Sequence, residues 1–177
     1  RSVGHTHTGY AAETFLDEVL AAAGKDPVQG RLDLLPPEAV RERGVIEKVA
    51  EMSGWTGPPR DGKGYGIAFV ESFGTFVAEV VEVEDRHGVP HVTRVWCAVD
   101  CGIAVNPNVI RAQMEGGIGF ALGTALHDQI TLAPGGEVQQ SNFDTYPMLR
   151  IAEMPAVEGA IIASGTVPTG VGEPGVP

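Results

Sequence analysis

Residues 64–84, GYGIAFVESFGTFVAEVVEVE, decide the fold. The run is rich in Val and Phe, side chains that suit a pleated, half-buried surface. It closes on Val81-Glu82-Val83-Glu84, where apolar and acidic residues alternate with the period of a strand that has one wet face. The stretch reads as one long bent strand or as two, with Gly74 as a bulge. Asp85-Arg86-His87-Gly88 supplies a turn, and residues 91–100 (HVTRVWCAVD) return as the partner strand. A long antiparallel hairpin therefore forms the centre of the expected fold.

The period changes on both sides of this hairpin. Residues 9–23 read as an amphipathic helix with an apolar stripe of Phe15, Leu16, Val19 and Leu20, closed by Gly24. Asp26-Pro27 opens a second, short helix through Leu35, and Pro36-Pro37 breaks it. Residues 38–52 read as a third helix. Residues 53–63, with Gly54, Gly57, Pro58, Pro59 and Gly62, read as a loop. Beyond the hairpin, Asn106-Pro107 opens a helix through about Leu126. That helix is crowded with Ala112, Gly116, Gly117, Gly119, Ala121 and Gly123, which weaken it but allow very close packing. A short strand at 128–132, a turn at Pro134-Gly135-Gly136, a polar stretch at 139–146 and a strand at 160–164 complete the reading. The expected class is α+β, with helices followed by a long antiparallel β-hairpin packed with a glycine-rich helix.

At 177 residues and 43% hydrophobic, the chain is long and apolar enough to fold around a core. Its net charge of −11, with no basic cluster, argues against nucleic acid and anionic membranes as partners. No apolar run approaches the length that crosses a bilayer. The first residue is Arg1 and the last is Pro177, inside a loop. The expectation is a single partial domain over 1–177, a fragment of a longer protein. Its compartment, cytoplasmic or periplasmic, is then not readable here. Cys97 and Cys101 stand in an apolar stretch and read as two buried thiols, with a disulfide left open.

Candidate chemistry gathers at four places. Glu173 stands in Gly170-Val171-Gly172-Glu173-Pro174-Gly175-Val176-Pro177, with no cation beside it in sequence. An acid on so stiff and open a loop suits a general acid or base, against the plainer alternative of a solvated Glu in a turn. Gln113-Met114-Glu115-Gly116-Gly117 lies early on the glycine-rich helix. An amide there can read the edge of a planar heterocycle, and the alternative is a tightly packed helix. His5-Thr6-His7 would share one face of a strand, or else belong to a polar loop with Arg1, Ser2 and Gly4. Asp144, Tyr146 and Arg150 flank a polar stretch that lines either a cleft or the surface.

Taken in order, four motifs resemble the molybdenum-binding large subunit of the xanthine dehydrogenase and aldehyde oxidase family, in particular its isoquinoline 1-oxidoreductase beta-subunit branch. They are Arg1-Ser2-Val3-Gly4-His5, Val95-Trp96-Cys97-Ala98-Val99-Asp100-Cys101-Gly102, Asn106-Pro107 with residues 111–117, and Gly170-Val171-Gly172-Glu173. The resemblance implies a molybdenum ion on a molybdopterin, in bacteria usually as the cytosine dinucleotide. It implies hydroxylation of an N-heterocyclic aromatic compound, or oxidation of an aldehyde, with oxygen taken from water. Glu173 matches the family's base. Gln113, Gly116, Gly117, Gly170, Val171, Gly172 and Arg1 match positions around the cofactor, and no protein side chain is expected to ligate the metal. A small subunit with two [2Fe–2S] clusters is the implied partner. One departure concerns Arg1: the xanthine dehydrogenase branch carries a glycine directly after this arginine, and here Ser2 and Val3 follow. A cofactor-free assembly or partner-binding domain is the reading from a different class. A zinc site at His5 and His7 is a third.

Overall fold

The computed structural model describes residues 1–57 and 62–177. Three helices come first: α1 (Gly4–Ala22), α2 (Pro27–Leu34) and α3 (Val40–Ser53). A meander of β1 (Lys63–Ser72), β2 (Thr75–Arg86) and β3 (Val89–Asp100) follows, then α4 (Pro107–Leu126) and β4 (Ala156–Ile161). The sheet runs β1-β2-β3-β4, antiparallel except that β4 lies parallel to β3. The α+β expectation holds, with one strand more than the hairpin predicts.

Local chemistry sets most boundaries. Asp26 caps α2 by accepting from the amides of Val28 and Gln29, both at 2.9 Å, and Pro27 fills the first turn. Asn106 and Pro107 repeat the device on α4. Past α1, Lys25 N donates to Leu20 O and Gly24 N to Ala21 O, with Gly24 at φ +66, a Schellman ending. The predicted bulge at Gly74 is instead a hairpin turn. Phe73 and Gly74 have φ of +55 and +74, and Ser72 pairs directly with Thr75. Two consecutive left-handed residues match the twist of the strands they join, so the run splits into two strands. The bulge falls between Glu82 and Val83.

Four further expectations are corrected. β4 spans Ala156–Ile161 rather than 160–164, because it is recruited by pairing with β3 along residues 94–99. Residues 128–132 form no strand. The turn after Pro134 folds them back on themselves, leaving one bridge between Leu132 and Val138. The stripe on α1 is not a core face: Phe15 is 66% exposed and Val19 47%, and of the four only Leu20 is buried. α1 is held instead by charge. Arg31, 3% exposed, donates to Glu13 at 2.9 Å and Asp17 at 2.7 Å, and Glu13 also accepts from the Phe69 amide at 2.7 Å. Finally, His5 and His7 lie in the first turn of α1, where two residues amount to about 200° of rotation and place the rings on opposite sides. Of the predicted loop at 53–63, residues 58–61 lie outside the described residues, Ser53 ends α3 and Lys63 begins β1.

Two cores lie on opposite faces of the sheet. On one, Val45, Ile46 and Val49 of α3 pack on Ala78, Val80, Trp96 and Ala98. On the other, Ile110, Met114 and Ile118 of α4 pack on Val77, Val95, Cys97 and Val99. Cys97 and Cys101 are both buried free thiols.

Candidate active site

The candidate residues come from three segments far apart in the chain. Arg1 is the link. Its Nε donates to Gly172 O at 3.0 Å and its Nη2 to Gln113 Oε1 at 2.6 Å, with a further short bond from Nη2 to Gly172 O. The next residue, Ser2, is fully buried, and its hydroxyl donates to Glu173 O. Ser2 and Val3 carry φ of +58 and +42, a region that side chains with a Cβ resist. A left-handed turn at this point is where a glycine would be easiest to place, and here the serine takes it and uses its hydroxyl on the Glu173 backbone.

α4 provides the floor. Gln113 faces Arg1 one turn above Gly116 and Gly117. A Cβ on Gly117 would sit 2.9 Å from the Gly175 backbone, so only glycine lets the 170–177 segment lie this close to α4. Pro174, Gly175 and Val176 are buried by the contact, whereas Gly172 and Gly116 stay exposed. The side of Gly170 that could hold a Cβ faces Phe73, and its carbonyl accepts from Thr75 Oγ1 at 2.7 Å. Val171 packs its side chain into the α4-side core. The Glu173 carboxylate is half-buried, and no hydrogen bond or ion pair to it is found among the described residues.

The resulting surface has a definite donor set. Gln113 gives its carbonyl oxygen to Arg1, so its amide NH2 is left to donate outward. Beside it runs a strip without side chains. A Cβ on Gly116 would meet only Arg1, at 3.5 Å, and one on Gly172 only Gln113 Oε1, at 4.0 Å. A flat polar heterocycle can lie against such a strip and take hydrogen bonds from Gln113 and the main chain. Among the described residues no group of three His, Cys, Asp or Glu side chains is placed to hold a metal ion.

A buried ion pair ties the end of β3 to α3 and to Ser164. Asp100, fully buried, accepts from Arg41 at 2.9 and 3.0 Å, from Gly102 N at 2.9 Å and from Ser164 Oγ at 2.7 Å. Burial pushes its carboxyl pKa up, but these donors outweigh that and hold it below the usual carboxylate value. Sequence reasoning missed Ser2, Thr75, Asp100 and Glu79. Ser2 and Thr75 act through backbone carbonyls, and Asp100 through side chains 59 and 64 positions away, partners that only folding supplies. Glu79 did leave a signal, as a lone acid inside Val77-Ala78-Glu79-Val80. It lies against a cavity of about 310 Å³ between α4 and the sheet, with Oε1 sealed from solvent and unpartnered. Burial pushes its pKa up to about 8, against a small opposing effect from the Cys97 thiol. The predicted polar stretch 139–146 lies mostly on the surface, with Tyr146 half-buried.

Residues 28–155 match the molybdopterin cofactor-binding domain family, and the chain belongs to it. Over 99% of its length it is 35% identical to the isoquinoline 1-oxidoreductase beta subunit of Brevundimonas diminuta, of which it covers 23%. It is 32% identical, again over 99% of its length, to a membrane-bound aldehyde dehydrogenase (pyrroloquinoline-quinone) of Gluconacetobacter polyoxogenes, covering 25% of that protein. Among solved structures, a Cu,Mo-CO dehydrogenase matches 58% of this chain, and 14% of its own, at 26% identity and a TM-score of 0.51. The chain thus spans about a quarter of the length of the first two relatives. No helix among the described residues is long and apolar enough to cross a membrane.

Proposed function

We propose that this chain is a partial domain, 1–177, of the large subunit of a molybdenum hydroxylase, with Glu173 as the base. The observation that supports this most is the convergence of Arg1, Gln113 and Gly172 on one another, next to a half-buried carboxylate with no partner of its own. Gln113, Gly116, Gly170, Val171, Gly172 and Arg1 would hold the molybdopterin, as the cytosine dinucleotide, through amide and main-chain contacts on the strip without side chains. Gly117 supports that strip from below by seating Gly175. The cofactor, when bound, supplies the electron sink for a two-electron oxidation. The protein supplies position and charge.

In this reading the Glu173 side chain accepts the proton released as a water-derived oxygen becomes nucleophilic. Arg1 and Ser2 hold the two carbonyls on either side of the Glu173 Cα, those of Gly172 and Glu173, so the carboxylate keeps one direction. The substrate class is an aromatic N-heterocycle or an aldehyde. Both present an electron-poor carbon, and the names of the relatives include both. Electrons would leave through a small subunit carrying two [2Fe–2S] clusters.

In the assembled, metal-loaded enzyme, Glu173→Gln is expected to lower turnover at least ~10³-fold with molybdenum content unchanged. Turnover near the wild-type rate would sink the base assignment. Absence of molybdenum from the correctly matured protein would favour the cofactor-free assembly role. A quinone in place of molybdenum would carry the function toward the chemistry named for the aldehyde dehydrogenase relative.

A further inference from the structure

Thr75 opens β2 directly opposite Ser72, just below the Phe73–Gly74 turn, and its side chain is fully buried. A valine would satisfy the strand here equally well, so the hydroxyl calls for an explanation. Its Oγ1 lies 2.7 Å from Gly170 O and 2.7 Å from Thr169 Oγ1. A hydroxyl has one proton, and a carbonyl can only accept. The Thr75 proton therefore goes to Gly170 O, and the Thr169 hydroxyl donates to Thr75. Thr169 is itself pinned through its amide to Cys101 O at 3.0 Å.

The hairpin tip closes on the same place. A Cβ on Gly74 would come within 3.1 Å of Thr169 Cγ2, and one on Gly170 within 3.5 Å of Phe73 Cβ. The Phe73 ring also lies against His5, with centroids 5.2 Å apart, at the start of the helix whose preceding Ser2 grips Glu173. The tip thus touches both segments that meet at the candidate base.

We infer that Thr75 is a positioning residue, whose hydroxyl fixes the Gly170 carbonyl three residues ahead of Glu173 and so sets the direction of that carboxylate. The inference rests on reading Glu173 as the base. The hydroxyl holds the loop from the sheet side, where Arg1 and Ser2 hold it from the helix side.

The test compares Thr75→Val, Thr75→Ser and the neighbouring Ser72→Ala in the whole enzyme. Ser72→Ala removes a buried hydroxyl from the same hairpin that has no bond to the loop. Hydrogen–deuterium exchange is followed for residues 169–176 and, as a reference, 77–81. For Thr75→Val, exchange at the Thr169 and Val176 amides, which donate to Cys101 O and Glu173 O, is expected to rise about tenfold with the reference amides unchanged. Its kcat is expected to fall ~10- to 100-fold at constant KM and molybdenum content. Thr75→Ser restores both, and Ser72→Ala changes neither. Loop exchange at the wild-type rate in Thr75→Val overturns the inference. So does a rise spread across the whole sheet that Ser fails to restore, or a loosened loop with unchanged kcat. Glu173→Gln measured alongside separates the two readings: full turnover there removes the base, while the exchange data still decide whether Thr75 holds the loop.

Discussion

On one face of the sheet Val80, Trp96 and Ala98 meet Val45, Ile46 and Val49 of α3 in a continuous apolar contact. On the other, α4 covers Val95, Cys97 and Val99 but leaves a cavity of about 310 Å³ over β1 and β2. Two glutamates on β2, three residues apart and on opposite faces, report the difference. On the α3 face Glu82 is pushed up by burial, yet Lys63, Thr93 and Tyr65 all donate to it, and its pKa is held down to about 2. On the α4 face Glu79 has burial without such donors, and rises to about 8. Burial alone does not set the charge of a carboxyl; the donors that burial brings do. The face that is closed has a satisfied acid at its edge, and the face that carries the candidate site has an unsatisfied one at its centre.

This contrast can be broken by mutation. The largest effect is expected from Ile46→Ala in the closed core, about 4 kcal/mol of stability, against roughly half that for Ile118→Ala beside the existing cavity. Denaturant unfolding followed by Trp96 fluorescence measures both, and equal costs would mean the two faces pack alike. Next comes Glu79→Gln. A carboxyl raised from 4.5 to about 8 on folding keeps its proton longer in the native state, so stability falls as pH rises between those values. The glutamine variant has no such loss and is expected to gain roughly 3 kcal/mol at pH 7 and almost nothing at pH 4. The smallest effect has the opposite sign. Glu82, depressed on folding, contributes stability above about pH 4.5 that disappears as pH falls towards 2. Glu82→Gln is expected to cost on the order of 1 kcal/mol at pH 7, allowing for the part-exposed Lys63 end of the pair, and to match wild type at pH 2. A pH profile of unfolding for the two variants side by side checks both signs.

The same contrast separates what was readable in the chain from what was not. The α3 face follows from period: residues 38–52 and the alternating strands carry their pattern locally, and the Asp26 cap marks the start of α2 beside them. β4 and the segment after α4 were misplaced because their pairing is with a distant strand and their own residues express little preference. For α1, the apolar residues suggested a buried face, but Arg31 seats the helix through Glu13 and Asp17 instead, and a charge network has no sequence period.

The candidate site divides in the same way. Residue types and motif order single out Glu173, Gln113 and the glycines as candidates, because those letters can be read one by one along the chain. Folding alone decided that Arg1 lies between Gln113 and Gly172, that Ser2 and Thr75 hold the loop from two sides, and that Gly175 rests on Gly117. Apart from the Arg1–Gln113 bond, each of these joins residues about 60 to 170 positions apart through a single backbone carbonyl or a missing Cβ. Backbone atoms are the same in every residue. A partner made of backbone therefore leaves no letter in the sequence, and only the packed chain can name it.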